Sequence, residues 1–169
     1  MKRFLLLFVL ICLTFTFANC EKDDLCDAAT PTTSRLVIEF FYETDPTIPK
    51  NLTNLTVFAE GRTDSIGYYN GTNIIRLPLQ TTQTSTTYKF VLNSTIANAV
   101  NIDFLTVNYT LNNVFVSRAC GYKSVFNLNP VGAIERTDTT PEDGIWMKSI
   151  LVTNRTILSE NETHIKVYF

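Results

Sequence analysis

From about residue 35 onward the chain repeats one pattern: short apolar stretches alternating with polar positions, separated by clusters of Asn, Gly, Thr and Pro. A period of two sends successive side chains to opposite faces of a strand. Many such short runs with turn residues between them indicate a sandwich or a barrel. The first run sets Leu36, Ile38, Phe40 and Tyr42 against Arg35, Val37, Glu39 and Phe41. The second sets Leu55, Val57 and Ala59 against Asn54, Thr56 and Glu60. Asn70-Gly71, between Tyr68-Tyr69 and Ile74, predicts a tight hairpin whose return strand carries Ile75, Leu77 and Leu79. Pro78 has no N–H to give to a ladder, so that strand is expected at an edge.

Tyr88, Phe90 and Leu92 alternate with Lys89, Val91 and Asn93, and Leu105, Val107, Tyr109 and Leu111 with Thr106, Asn108 and Thr110. Ser94 to Asp103 is the one stretch that suits a short helical turn. Asn112-Asn113 reads as a tight turn into Val114, Val116 and Arg118. From Gly121 the pattern loosens, with loops at Asn129-Pro130 and Thr139 to Gly144. Trp146, Lys148, Ile150 and Val152 against Met147, Ser149 and Leu151 make both faces partly apolar, as in an inner strand. Ile165, Val167 and Phe169 form a last strand. The expectation is an all-β domain, an immunoglobulin-like β-sandwich of eight or nine short strands, with a small β-barrel as the alternative.

The N-terminal stretch reads differently. Lys2 and Arg3 precede an apolar run, Phe4 to Phe17, which is short of the roughly 20 residues of a membrane span and fits the core of a secretion signal. Cleavage after Ala18 is one option. The other is Phe17-Ala18-Asn19-Cys20, which resembles a bacterial lipobox and would make Cys20 the lipidated first residue. Cysteine parity favours it. Of the four cysteines, Cys12 leaves with the leader, and lipidation of Cys20 leaves Cys26 and Cys120 as a pair, whereas ordinary cleavage leaves an odd thiol. Glu21-Lys22-Asp23-Asp24 resembles the lysine-plus-acidic export signal of surface lipoproteins of the Bacteroidota. The division expected is 1–19 signal peptide, 20–33 tether and lead-in, and 34–169 a single β domain. Location follows as the outer membrane, lipid-anchored and facing the cell surface, with a periplasm-facing domain as the alternative.

Composition narrows the function classes. Net charge is −2 and the pI about 5.4, with no basic patch and no run of Lys and Arg, so nucleic-acid and anionic-lipid binding both lack their electrostatic footprint. Catalytic candidates are sparse. His164, the only histidine, is expected to face outward on the last strand, and no GxSxG elbow accompanies it. Glu39 and Glu43 would share a strand face as a carboxylate pair. Asp138, Glu142 and Asp143 are acidic but lack the regular spacing of a calcium loop. Tyr42, Tyr68, Tyr69 and Trp146 are candidate stacking platforms for a glycan. Arg118 is a candidate partner for Asp27. Asp64-Ser65-Ile66 and Asp138-Thr139-Thr140 look like O-glycosylation acceptors at Ser65 and Thr139. Seven Asn-x-Ser/Thr triplets occur, at Asn51, Asn54, Asn70, Asn93, Asn108, Asn154 and Asn161. Cys26 and Cys120 are read as a disulfide, with two free thiols or a metal site as alternatives. No cofactor or metal is expected. The expected partners are the membrane, through the anchor, and envelope proteins or glycans.

Several segments resemble a family of Bacteroidota lipoproteins classed only as a domain of unknown function. They are Cys20-Glu21-Lys22-Asp23-Asp24, Thr30-Pro31-Thr32-Thr33, Arg35-Leu36-Val37-Ile38-Glu39-Phe40, Val116-Ser117-Arg118-Ala119-Cys120-Gly121 and His164-Ile165-Lys166-Val167-Tyr168-Phe169. The resemblance implies a lipoprotein with a Cys26–Cys120 disulfide, and no activity. The reading that results is a non-catalytic binding or structural module. A carbohydrate-binding accessory protein stands second and an acidic-residue hydrolase third.

Overall fold

A computed structural model describes residues 25–30 and 32–169. The expected leader, Cys20 and the acidic tether Glu21 to Asp24 lie outside the described residues. The chain falls into two compact units. One comprises Thr32–Val114 with Ser124–Phe169. The other comprises Phe115–Lys123 with the described residues Leu25–Thr30.

The described residues form strands and loops, without helix. The strands are β1 (Leu36–Phe41), β2 (Leu55–Ala59), β3 (Ser65–Tyr69), β4 (Ile74–Leu77), β5 (Ser85–Leu92), β6 (Asn101–Ser117), β7 (Gly121–Leu128), β8 (Ile134–Asp138), β9 (Ser149–Val152), β10 (Thr156–Ile157) and β11 (Ile165–Tyr168). A four-stranded sheet runs β4-β1-β11-β9. A seven-stranded sheet runs β10-β7-β6-β5-β2-β3, with β8 also paired to β6. Neither sheet closes into a barrel, and the first unit is a two-sheet sandwich. Its core sets Leu36, Ile38, Phe40, Ile165 and Val167 of the small sheet against Leu55, Val57, Tyr88, Phe90, Leu105 and Val107 of the large one. Trp146 is the aromatic hub. Its ring lies 5.1 Å from that of Phe169 and 6.4 Å from those of Phe40 and Phe90.

The described residues form eleven strands against the expected eight or nine. Asn70-Gly71 does not close a hairpin. Leu52 bonds to both sides of the turn, donating its N–H to Thr72 and accepting from Gly71, each at 2.8 Å. Phe40 draws Asn73 toward β1 in the same way, also at 2.8 Å. The flanking strands therefore part, β3 joining β2 in one sheet and β4 joining β1 in the other. As the proline implied, β4 is an edge. Gly67 on β3 leaves room for the ring of Tyr69, which would stand 2.8 Å from a Cβ at that position.

Asn112-Asn113 is not a turn either, because β6 runs through it for 17 residues. Asn113 instead accepts a hydrogen bond from the Ser124 hydroxyl at 3.0 Å. The turn comes at Arg118 to Cys120, where Cys120 donates to the Ser117 hydroxyl and Gly121 takes a φ of +70°. The loosened pattern after Gly121 hides three strands, β7, β8 and the two-residue β10. The expected inner strand at Trp146 starts only at Ser149 and borders its sheet. Trp146 and Met147 are buried ahead of it by another interaction, described below. Ser94 to Asn98 forms turns, and β6 has already begun at Asn101.

The first and the last of the described strands meet in the small sheet. β1 and β11 pair in parallel, with Ile38 opposite Ile165 and Phe40 opposite Val167. His164 locks the start of this pair. Its N–H donates to the Val37 carbonyl at 3.1 Å, and its Nδ1 accepts from the Val37 N–H at 3.0 Å. The ring is buried at 1% exposure, contrary to the expected outward position. Alternation does put His164 on the outer face, but that face is roofed. Val37 and Phe41 are buried there, with the Tyr168 ring tilted against that of Phe41 at 5.7 Å and the Lys166 ammonium 4.6 Å from the Phe41 ring. An accepting Nδ1 places the proton on Nε2 and makes the ring neutral.

A second lock joins β6 to the loop before β9. Asp103 is fully buried, and its Oδ2 accepts the N–H groups of Trp146 and Met147 at 3.1 and 2.9 Å. Asp143 Oδ2 accepts from the Ile102 N–H at 2.9 Å, and Asn101 donates to the Gly144 carbonyl. These bonds press Trp146 into the core. In the second unit, Cys26 and Cys120 form a disulfide with Cα atoms 4.9 Å apart, closing a loop 94 residues apart in sequence. The chain-entropy model assigns such a closure about 4–5 kcal/mol.

Two stability measurements follow. Burial pulls His164 below its ordinary value of 6.5, against the opposing pull of Glu162 and Glu160. The unfolded chain therefore takes up a proton that the folded chain refuses. The stability tied to this ring is complete above pH 6.5 and falls as pH drops below it, by at most about 1.4 kcal/mol per pH unit. Asp103 acts in the opposite sense: burial raises its pKa, so its ionisation weakens folding as pH climbs above 3.8. Urea unfolding at about pH 7.5 and about pH 5 should show the histidine-dependent loss in the wild type and not in His164→Gln. Asp103→Leu leaves two buried amides without an acceptor and should cost about 2–4 kcal/mol, with Asp103→Asn losing less.

Candidate functional site

The Asp103 lock shapes a surface concavity. Arg136 on β8 and Lys148 just ahead of β9 line a groove of about 680 Å³, together with Asp138, Thr140 and Glu142. A smaller recess of about 270 Å³, lined by Ile134, Arg136, Lys148 and Ile150, shares both cations and continues the groove between the two strands. The side chains are braced from within. Arg136 Nη1 donates to the Met147 carbonyl, and Lys148 Nζ to the Ile145 carbonyl at 2.6 Å. Partial desolvation pushes the Asp138 carboxyl up. The N–H groups of Gly144, Thr139 and Asp143 outweigh that and hold it below the ordinary carboxylate value, hence ionised. The groove thus presents two cations, carboxylates and threonine hydroxyls on a fixed backbone. That set suits hydrogen bonding to a polar ligand. A second concavity of about 320 Å³ opens beside β3, over Ile66, Leu79 and Tyr88, and is more apolar.

The nominated residues are scattered. His164 is buried against Val37 and reaches neither groove. Glu39 lies on β1, where it accepts from Thr163 at 3.2 Å and Asn73 at 3.4 Å. The strand ends at Phe41, so strand spacing does not carry to Glu43, and the expected shared face is not formed. Asp138 accepts the N–H groups of Thr139, Asp143 and Gly144, and Asp143 accepts that of Ile102 through Oδ2. Among the described residues, no group of three or more His, Cys, Asp or Glu is placed to hold a metal ion. Of the stacking candidates, Trp146 is buried and Tyr69 half-buried, which corrects the reading of both as open platforms. Tyr42 and Tyr68 are exposed, Tyr68 with its hydroxyl bonded to Asn54. Ser65 is exposed on β3, and Thr139 is half-buried at the groove. Arg118 and Asp27 are both exposed. The ion pairs among the described residues are instead Arg35–Glu160, Arg76–Glu160 and Arg62–Asp64.

Asp103, Arg136 and Lys148 escaped the sequence reading. For Asp103 a signal existed: it has the same parity as Leu105, Val107 and Tyr109, so an ionisable group stood at an inward position. Such a group must find buried partners, and it found the amides of a distant loop. Nothing comparable marks Arg136 and Lys148, which come together only through tertiary contact.

No curated protein and no solved structure matches this chain. A model described as a family of unknown function, DUF6452, matches residues 54–169, which span β2 through β11. Over more than half its length, the chain carries that family's sequence pattern, and it belongs to the DUF6452 family of unknown function.

Proposed function

We propose that this chain is a lipid-anchored, non-catalytic binding or structural module of the outer membrane of a member of the Bacteroidota, displayed on the cell surface. The observation that carries the reading is the cysteine pairing. Cys26 and Cys120 are bonded to each other. With Cys12 inside the leader, Cys20 is the one cysteine of the mature chain left to explain. A lone thiol in an oxidising compartment is a liability, and acylation removes it. The resemblance of Glu21-Lys22-Asp23-Asp24 to an export signal supports the outward face. The Arg136–Lys148 groove is the binding surface in this reading, since its walls are pre-organised by buried hydrogen bonds and its lining is polar. A carbohydrate-binding role is second, favoured by the exposed Tyr42 and Tyr68.

Intact cells producing the wild type, Cys20→Ala, and a form with Lys22, Asp23 and Asp24 all replaced by Ala provide the test. The wild type should fractionate with membranes and be cleaved by added protease. Cys20→Ala should be soluble, and the tether variant should stay membrane-bound but protected. A wild type that fractionates with soluble protein refutes the anchor. Membrane association without cleavage refutes only the surface face. A glycan array blank for the soluble domain removes the carbohydrate reading.

A further inference from the structure

The turn between β6 and β7 belongs to the smaller unit, Phe115–Lys123 with the described residues Leu25–Thr30. Its large apolar side chains face solvent: Leu25 is 86% exposed, Tyr122 70% and Phe115 56%. The rings of Phe115 and Tyr122 pack edge to face at 5.5 Å, so they present one aromatic patch. Arg118, at the turn between them in sequence, is also exposed. Two aromatic rings and a leucine left in water on so small a unit are unfavourable unless something covers them.

The covalent order of the chain says what lies near. Cys26 is six residues past Cys20, and a fully extended chain of that length spans no more than about 20 Å. Leu25 is one residue nearer. The Cys26–Cys120 bond passes the same limit to the turn itself. With Cys20 acylated, this patch cannot leave the neighbourhood of the lipid surface. The combination is that of an interfacial contact, in which exposed aromatic rings settle at headgroup level. From these constraints we infer that the Leu25–Phe115–Tyr122 tip docks on the bilayer that holds the anchor. The disulfide then serves as a strap between lipid tether and docking tip. The inference rests on the lipid anchor proposed above. A second apolar contact beside the acyl chains strengthens membrane attachment in the way paired signals do.

Tyr122→Trp turns the tip into its own probe, because the native Trp146 is buried and shielded. The lipidated full chain with this change is reconstituted in vesicles of phosphatidylethanolamine and phosphatidylglycerol, with or without brominated acyl chains. The new tryptophan should emit further to the blue than in the soluble Cys20→Ala form, and brominated lipid should quench it about twofold. In a Cys26→Ala/Cys120→Ala background the protein should still float with vesicles while the quenching falls. Near-ultraviolet circular dichroism of Trp146 checks that each variant is folded. Flotation without quenching overturns the docked tip and leaves the anchor standing. Failure of the lipidated chain to float overturns both. Equal quenching with and without the disulfide overturns the strap.

Discussion

The small sheet depends on the parallel pairing of β1 with β11. These two strands are its middle, and each brings one edge strand with it, β4 on one side and β9 on the other. Remove the pair and the edge strands have no template, while the apolar faces of Leu36, Ile38, Phe40, Ile165 and Val167 lose each other. The pairing is fixed at one end by His164, which doubles its backbone bond to Val37 with a side-chain bond. It is fixed at the other by Phe169, whose N–H donates to Phe41, whose ring packs on Trp146, and whose carbonyl accepts from Lys50.

The large sheet supplies the second constraint. Asp103 reaches out of β6 and holds the amides of Trp146 and Met147, so one carboxylate positions the aromatic hub and the wall of the groove together. A buried ionisable group with one unpartnered oxygen is expensive. Its worth here is specificity of the loop conformation: Asp138, Asn101 and Asp143 add further bonds to the same segment, and Arg136 and Lys148 are set at the groove by backbone carbonyls of the loop they face.

Most strands were legible because their alternation is clean. Leu36 to Phe40, Leu55 to Val57, Tyr88 to Phe90 and Leu105 to Tyr109 all face as their period demands. The errors share a cause. Asn70-Gly71 and Asn112-Asn113 carry turn residues, but turn chemistry is local, and Leu52 and Ser124 bond to those segments from elsewhere in the chain. His164 has the right parity and the wrong burial, because a strand pattern reports which face a residue takes and not what covers that face. The groove was invisible for the same reason. Arg136 and Lys148 are ordinary surface residues in sequence, and their neighbourhood comes from β8 and β9 belonging to different sheets.

The parallel pair also has a kinetic meaning. During synthesis β1, apolar on both faces except at Glu39, emerges long before its central partner, because β11 is the last of the described strands. More than a hundred residues must be threaded into place before β1 is enclosed, so much of the loop-closure entropy is spent late. β4 can cover one edge of β1 in the meantime, but the other edge stays open to any extended chain that passes. The sandwich therefore reaches its native order only when its full length is available, and a chain halted before Ile165 presents an unfilled slot in the shape of a β-strand.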